Sequence, residues 1–300
     1  MSRLLGIAAA QVRSIANDPQ QSLVKMEEVT EGIVAEIPWV NLICFPELFL
    51  SGTNQFVSTA NGPSMMELTE TIPSPFTNRL CDLAKRVGSW LIPGSFYEKE
   101  AGKVYNASIV ISPEGEIVAH YRKLYPWQPQ EKETPGNLGF CVWDIPGIGR
   151  LGLCICYDMW IPEVSRSLAW LGAEVIFHPS RTSTSDRIVE TKIAQANAIF
   201  NQCFFIDVNI VGQFGGGRSQ IVDPDGQVLQ LATEHESILT QVLDLDHVSR
   251  ARDLGTMGLA QVWKAFRDIP VAFPPYTQAK VESPLLSNLG KPQFPRDMRN

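Results

Sequence analysis

Short apolar runs alternate with segments of helical periodicity along most of the chain, and this alternation constrains the fold more than any other feature. Apolar runs of strand length lie at 4–10, 40–45, 90–96, 151–156, 175–177, 203–208 and 237–243. Apolar residues at helical spacing fill the intervals at 20–37, 76–87, 162–171 and 186–201. Buried strands separated by amphipathic helices predict a domain built from layers of α and β structure.

Two turn sequences add β-hairpins to this pattern. "SPEG" separates strand-like segments at 104–111 and 116–121, and "DPDG" occupies 223–226. We expect one domain over residues 1–270. The remaining segment, 271–300, is rich in proline and shows little hydrophobic periodicity. We therefore expect a tail that lies over a neighbouring subunit or extends into solvent.

Composition excludes several classes of partner. The chain has 300 residues and a net charge of -7, without a basic stripe, which argues against nucleic-acid binding. No run of eighteen apolar residues predicts a membrane span. The apolar N-terminal run is interrupted by Gln11 and Arg13, which favours a first strand over a signal peptide. The six cysteines lie mostly within apolar runs, and we interpret them as reduced thiols of a cytoplasmic protein.

Polar residues stand where three buried strands end. Glu47 follows "LICFP", Lys123 follows "IVAHYR", and Cys156 follows "GLCI". Strand ends are where open α/β sheets bind ligands. A thiol acts as a nucleophile, a carboxylate moves its proton, and an ammonium holds an oxyanion. These three groups together suffice for acyl transfer.

A metal site fits the sequence poorly. The C-x-C pair has no nearby histidine, and the four histidines are scattered without pairing, unlike the usual ligand spacing of zinc. The glycine-rich segment 212–219 lacks the ending of a phosphate-binding loop. We therefore expect neither a metal nor a cofactor.

The residues alone also allow purely structural, non-catalytic interpretations. In these interpretations Cys156 is a small apolar residue of the core, Lys123 is a surface lysine, and Glu47 is an acid that favours the start of a helix. Cys154 and Cys156 are two positions apart and face the same side of a regular strand. A core role for Cys154 and a catalytic role for Cys156 therefore require the backbone to bend where the strand ends.

Three blocks in order carry a family resemblance. "FPELFLSG" (45–52), "YRKLYPW" (121–127) and "CYDMWIPE" (156–163) resemble the signature blocks of the nitrilase, or carbon-nitrogen hydrolase, superfamily. The resemblance implies a four-layer α-β-β-α sandwich. It also implies cleavage of nonpeptide C–N bonds through a cysteine thioester. In that chemistry Glu47 is the general base, Lys123 the oxyanion stabiliser and Cys156 the nucleophile.

A second glutamate is implied by the same resemblance. The stretch "KLYPWQPQEKETPG" (123–136) is similar to that of aliphatic amidases and formamidases, whose glutamate falls on Glu131. Glu133, two residues further on, is the alternative. The resemblance also implies that the backbone N–H of Tyr157 assists Lys123 with the oxyanion.

The substrate pocket is inferred from what surrounds the blocks. Phe49, Trp127 and Trp160 lie within the three blocks, after Glu47, Lys123 and Cys156, and an aromatic-lined cavity favours small uncharged amides. Arg181 is a candidate clamp for a carboxylate, as is Arg187.

The expected reaction is hydrolysis of a small aliphatic amide, formamide included, to an acid and ammonia. An N-carbamoyl amide hydrolase is the first alternative and a nitrilase the second. A non-catalytic binding protein on the same scaffold is the alternative outside enzymes. As in most members of the superfamily, we expect a homodimer or a higher homo-oligomer.

Overall fold

The computed structural model describes residues 2–52, 65–273, 276 and 291–293. Its strands are β1 (Leu4–Gln11), β2 (Leu42–Cys44), β3 (Thr69–Glu70), β4 (Trp90–Ile92), β5 (Phe96–Glu100), β6 (Lys103–Ile111), β7 (Ile117–Arg122), β8 (Cys141–Ile145), β9 (Gly149–Leu153), β10 (Val175–Ser180), β11 (Phe204–Asn209), β12 (Gln220–Val222), β13 (Val228–Leu231) and β14 (Ser237–Asp244). Its helices are α1 (Pro19–Glu36), α2 (Pro75–Val87), α3 (Pro162–Trp170), α4 (Arg187–Asn201), α5 (Leu245–Leu254) and α6 (Val262–Asp268).

The strands form two sheets. The first has eight strands in the order β14-β1-β2-β4-β6-β5-β3, with β7 also paired to β6. The second has six, in the order β13-β12-β11-β10-β9-β8. The central strands β1, β2 and β4 run parallel, and so do β9, β10 and β11. Each parallel set therefore brings its carboxyl ends to one edge of its sheet, where polar side chains can collect.

The two sheets pack face to face between helical layers. Ile7 and Val110 of the first sheet share one apolar core with Leu153 and Phe177 of the second. The outer face of the first sheet packs against α1 and α2, and that of the second against α3 and α4. The predicted four-layer α-β-β-α sandwich is thereby confirmed.

Local sequence signals account for the helix ends. α2 begins at Pro75 with Ser74 as a reciprocal N-cap, and it ends at Gly88 in the left-handed conformation. α3 begins at Pro162, where a proline loses no hydrogen bond. Both boundaries lie within a residue or two of the periodicity that predicted them.

Other predictions need correction. The strand expected over 151–156 ends at Leu153, and Cys156 opens a 3₁₀ turn, Cys156–Trp160. The extended run at 90–96 is divided between β4 and β5. The short strand β8 and the helices α5 and α6 were not predicted. Most of the predicted tail, 271–300, lies outside the described residues.

Candidate active site

A buried ion-pair cluster lies where β2 and β7 end. Lys123 Nζ is 2.9 Å from Glu47 Oε1. The same Nζ is 2.9 Å and 2.8 Å from the two carboxylate oxygens of Glu131. None of the three side chains is more than 5% exposed. The sequence placed Glu47 and Lys123 at separate strand ends, and the structure brings them together with Glu131.

Neighbouring groups hold both carboxylates in place. Asn106 Nδ2 donates to Glu47 Oε1 at 2.8 Å, and the backbone N–H of Trp127 donates to Glu131 Oε2 at 2.6 Å. The backbone of Lys123 is fixed as well, because its N–H donates to the carbonyl of Asn106 and its carbonyl accepts from Gly136. A Cβ at Gly136 would lie 2.1 Å from the carbonyl oxygen of Arg122, so only glycine fits there.

The segment that carries Glu47 is equally constrained. Gly94 has φ 74° and a Cβ there would lie 1.8 Å from the carbonyl oxygen of Pro46, so the chain passes too close for any side chain. Ser95 Oγ accepts the backbone N–H of Leu48 at 2.9 Å. The connection after β4 therefore fixes the turn on which Glu47 stands.

Cys156 lies three residues beyond β9 in a strained conformation. Its φ of 49° falls in the left-handed region, which costs a non-glycine residue about 1–3 kcal/mol. The thiol and the Glu47 carboxyl shift each other's pKa, and the sulfur lies 4.0 Å from Thr182 Oγ1. Cys154 is fully buried in the core beneath α3 and α4. The bend after Leu153 thus directs the two cysteines into different surroundings.

Asp158 connects the turn of Cys156 to β7, the strand that ends just before Lys123. Its Oδ2 accepts from the Tyr121 hydroxyl at 2.6 Å and from the backbone N–H of Ile155 at 3.0 Å. Its Oδ1 accepts from the backbone N–H of Tyr125 at 2.8 Å. Burial raises the pKa of Asp158 to about 6, although these donors oppose the shift.

Electrostatics favour a carboxylate, an ammonium and a neutral thiol in the resting site. Burial alone would raise the pKa of Glu47, but the positive charges of Lys123 and Arg181 bring it below its ordinary value. Burial would lower the pKa of Lys123, whereas Cys156 and the two carboxylates raise it well above its usual value. Burial and the charge of Glu47 raise the pKa of the Cys156 thiol well above its ordinary range, against the effect of Lys123.

A cavity of about 260 Å³ opens onto Cys156 and Glu131. All four predicted substrate-binding residues line it: Trp127, Tyr157, Trp160 and Arg181. The rings of Tyr157 and Trp160 stack with centroids 6.3 Å apart.

Two other candidates lie elsewhere. Phe49 is fully buried and packs against Phe45 at a centroid distance of 5.2 Å, so it does not narrow this cavity. Arg187 is buried and pairs with Asp207, its Nη2 lying 2.6 Å from Oδ2, so its guanidinium is occupied by a carboxylate of the protein itself.

Glu133 occupies an unusual position beside this cluster. It is 3% exposed, and within the part of the chain that the structure describes neither carboxylate oxygen has a hydrogen-bond partner. Burial and the negative charge of Glu131 raise its pKa. Of the two glutamates that the sequence offered, Glu131 is the one that contacts Lys123.

Sequence reasoning missed several polar residues that support the site. Asn106, His178 and Asp207 stand inside otherwise apolar strands, β6, β10 and β11. A polar residue within a buried strand needs a partner, and that pattern was the available signal. His178 Nε2 lies 2.8 Å from the carbonyl oxygen of Cys156, the nucleophile candidate.

The described ranges contain no candidate for a membrane span or a metal centre. No helix in them combines the length and the apolar character that crossing a bilayer requires. No group of three or more His, Cys, Asp or Glu side chains among the same residues is arranged to hold a metal ion.

Solved structures share the four-layer fold. Nit3 of Saccharomyces cerevisiae, a member of the nitrilase superfamily, superposes with a TM-score of 0.74 at 25% identity, covering 84% of this chain and 94% of that one. A mutant of the amidase from Nesterenkonia sp. AN1, crystallised in complex with butyramide, gives a TM-score of 0.71 at 25% identity and covers 84% of this chain and 95% of the other. The fold is thus that of the nitrilase superfamily.

Sequence comparison defines the family. A family model described as carbon-nitrogen hydrolase matches residues 6–253, so the chain belongs to the carbon-nitrogen hydrolase family. It is 33% identical over 218 residues to a formamidase of Bacillus thuringiensis (strain Al Hakam), a match that covers 71% of this chain. The same match spans 64% of that formamidase's own length.

Proposed function

We propose that this protein hydrolyses small nonpeptide amides to a carboxylic acid and ammonia through a thioester on Cys156. The observation that carries the proposal is the Lys123 ammonium, 2.9 Å from Glu47 and 2.8 Å from Glu131, with the Cys156 thiol near enough for its pKa to be raised by the charge of Glu47. The nucleophile thus lies in the wall of a small cavity, and the base and the fixed positive charge are buried close to that wall. Formamidase and amidase relatives support amides as the substrate class.

The acylation half of the reaction starts from a neutral thiol. Cys156 Sγ attacks the amide carbonyl carbon as the Glu47 carboxylate takes the thiol proton. The carbonyl oxygen becomes an oxyanion held by the Lys123 ammonium and the backbone N–H of Tyr157. Loss of one such donor typically costs about 3–4 kcal/mol of transition-state stabilisation. Glu47 then protonates the departing nitrogen, the C–N bond breaks, and ammonia leaves.

Deacylation reverses the proton path. Glu47 takes a proton from a water molecule, the hydroxide attacks the thioester carbon, and the same oxyanion donors hold the charge again. The C–S bond breaks and the proton returns to sulfur, which releases the acid and restores the thiol. Glu131 touches both Lys123 Nζ and the backbone of Trp127, and we assign it the orientation of the ammonium and of the substrate amide.

The cavity favours small acyl groups. Its volume of about 260 Å³ and its walls of Trp127, Trp160 and Tyr157 suit a short apolar chain better than a long or charged one. Arg181 on the same wall is the observation that favours a second candidate, an N-carbamoyl amino acid whose carboxylate would pair with the guanidinium.

Ammonia release over a substrate panel tests the proposal. Formamide, acetamide, propionamide and butyramide represent the first candidate, N-carbamoyl amino acids the second, and the corresponding nitriles a nitrilase. We expect turnover on the short amides, with Cys156→Ala as the matched inactive control. Alkylation of Cys156 by iodoacetamide without turnover on any compound would contradict the proposal and favour a binding protein.

Trapping the acyl intermediate tests the thioester itself. Acid quenching of the wild-type protein during turnover of acetamide should leave an acetyl adduct that hydroxylamine removes, as expected for a thioester. Peptide mapping should locate the adduct at Cys156. An adduct at Cys154 would contradict the assignment of the nucleophile.

Assembly and location are further parts of the proposal. Trp170 is 64% exposed and contacts Phe266 of α6, and exposed aromatic patches of this kind mark protein interfaces. We propose a homodimer or higher homo-oligomer through this face, with the tail 271–300 over the partner. Light scattering should give a multiple of 33.3 kDa, and a smaller mass for a chain ending at residue 270 or carrying Trp170→Lys. The six unpaired cysteines support a reducing compartment, the cytoplasm.

A further inference from the structure

A buried histidine holds the backbone of the proposed nucleophile. His178 stands on β10 with its side chain fully buried. Its Nε2 lies 2.8 Å from the carbonyl oxygen of Cys156, and its Nδ1 lies 2.9 Å from Asp207 Oδ1 on β11. The Cys156 carbonyl belongs to the residue with φ 49°, so this contact acts at the strained point of the turn.

The partners of His178 define its protonation. A carbonyl oxygen accepts only, so Nε2 must carry a hydrogen. Asp207 is a carboxylate, because Arg187 Nη2 donates to its Oδ2 at 2.6 Å, and it also accepts only. Nδ1 therefore carries a hydrogen as well, and the ring is an imidazolium. Burial alone would lower the pKa of His178, but the Asp207 carboxylate raises it.

The contacts continue into a chain of alternating charge that we call the His178 chain: His178, Asp207, Arg187, Glu190 and Trp160. Arg187 Nη1 is 3.2 Å from Glu190 Oε2, and the Trp160 indole N–H donates to Glu190 Oε1 at 3.1 Å. Two cations and two anions thus balance within the protein interior. The groups that face the imidazolium from the packed elements are Asp207 on β11, Arg187 and Glu190 on α4, and Cys156 on the turn.

The His178 chain contacts both ends of one short turn. The turn Cys156–Trp160 begins at the residue that His178 holds and ends at the residue that Glu190 holds. Cys156, Trp160 and Glu190 line the cavity. A shift of the His178 chain therefore moves the sulfur and the cavity wall together.

We propose that His178 is a positioning residue whose imidazolium keeps Cys156 in its left-handed conformation, so that loss of its proton misplaces the nucleophile. This inference rests on the proposed function for its catalytic consequence only. A neutral ring leaves a lone pair facing either the Cys156 carbonyl or the Asp207 carboxylate, and either arrangement breaks one of the two bonds. Activity should therefore decline as pH rises through the titration of His178, and the rise of Cys156 alkylation with pH, which follows the thiolate, should be interrupted over the same range.

Three variants test the proposal. His178→Phe keeps the ring volume without donors, and His178→Gln keeps one donor. Asp207→Asn removes the charge that stabilises the imidazolium, and its amide can either accept from a protonated Nδ1 or donate to a neutral one. His247→Gln is the control, because His247 pairs with Asp225 at 2.9 Å and lies outside the cavity.

The readouts separate positioning from general stability. We expect His178→Phe to lower kcat about tenfold to hundredfold with KM changed far less, since small misplacements of reacting groups have effects of this size. His178→Gln should recover part of the loss. In Asp207→Asn the interruption in the rise of Cys156 alkylation by iodoacetamide should disappear, because the amide donates to a neutral Nδ1 and Nε2–H stays on the Cys156 carbonyl, and the control should match the wild type.

Two results would overturn the inference. One is a folded His178→Phe or His178→Gln protein with wild-type kcat and a lower melting temperature only. The other is an Asp207→Asn alkylation profile that coincides with that of the wild type. Alkylation needs no substrate, so it tests the positioning role even if the wild-type protein hydrolyses no amide, and the two proposals fail separately.

Discussion

Lys123 Nζ and Glu47 Oε1 lie 2.9 Å apart in the protein interior, although 76 positions separate the two residues in the chain. Both side chains are essentially inaccessible to solvent. Removing two charges from water is costly, and close contact with further hydrogen bonds is needed to offset it. Asn106 and Glu131 supply those bonds. The pair is therefore better explained by the proposed chemistry than by stability.

Glu47→Gln should abolish most turnover and leave the fold intact. The amide keeps the shape of the carboxylate but cannot take the thiol proton, and a general base typically contributes about 10²–10⁴-fold to the rate. Ammonia release with formamide measures the loss, and circular dichroism checks the fold. Residual activity above about a tenth of wild type would contradict the assignment of Glu47 as the base.

Lys123→Ala should cost both activity and stability. The oxyanion loses its charged donor, and Glu47 and Glu131 are left as unpaired buried carboxylates. Breaking a buried ion pair in this way destabilises proteins by about 3–5 kcal/mol. Urea unfolding measures the stability, with Lys85→Ala on the exposed surface of α2 as the control. A Lys123→Ala protein as stable as that control would argue that the carboxylates lie in contact with water.

Cys156→Ala and Cys154→Ala should have opposite effects. The first removes the proposed nucleophile from the cavity wall, so activity should vanish with little change in stability. The second opens a space in the core beneath α3 and α4, so the free energy of unfolding should fall by about 1–2 kcal/mol with turnover retained. Ammonia release measures the turnover of both variants, and urea unfolding measures their stability. The reverse pattern would make Cys154 the nucleophile.

Glu133→Gln should increase stability more at high pH than at low pH. Because burial raises the pKa of Glu133 above its ordinary 4.5, folding favours the protonated form, and the wild-type protein loses stability as pH rises through the folded pKa. The variant has no such loss. Its advantage in urea unfolding should therefore grow from pH 5 to pH 8, by up to about 1.4 kcal/mol per unit of pKa difference.

The matched variant Glu131→Gln distinguishes the two glutamates by activity. Its side chain contacts Lys123, so we expect a fall in kcat of about tenfold to hundredfold, whereas Glu133→Gln should stay close to wild type. A large loss of kcat in Glu133→Gln alone would reverse the assignment. An advantage of Glu133→Gln that is constant over pH would show that the carboxyl is not held protonated.

Local patterns were sufficient for the main elements. The periodicity over 20–37 predicted α1, and Pro162 with Gly172 bounded α3, because neighbours in the chain determine helix starts, stops and buried faces. Signature blocks located Glu47, Lys123 and Cys156 at strand ends. The sequence thereby determined the fold class and the residues of the candidate site.

Only the tertiary structure decided how those residues meet. The bend after Leu153 and the φ of 49° at Cys156 depend on contacts from β7 and β10, which are distant in the chain. The selection of Glu131 over Glu133 as the partner of Lys123 likewise depends on which carboxylate the loop after β7 turns inward. Periodicity reports the burial of each residue, whereas hydrogen bonds between separate strands depend on how the two sheets pack, and that information is not local.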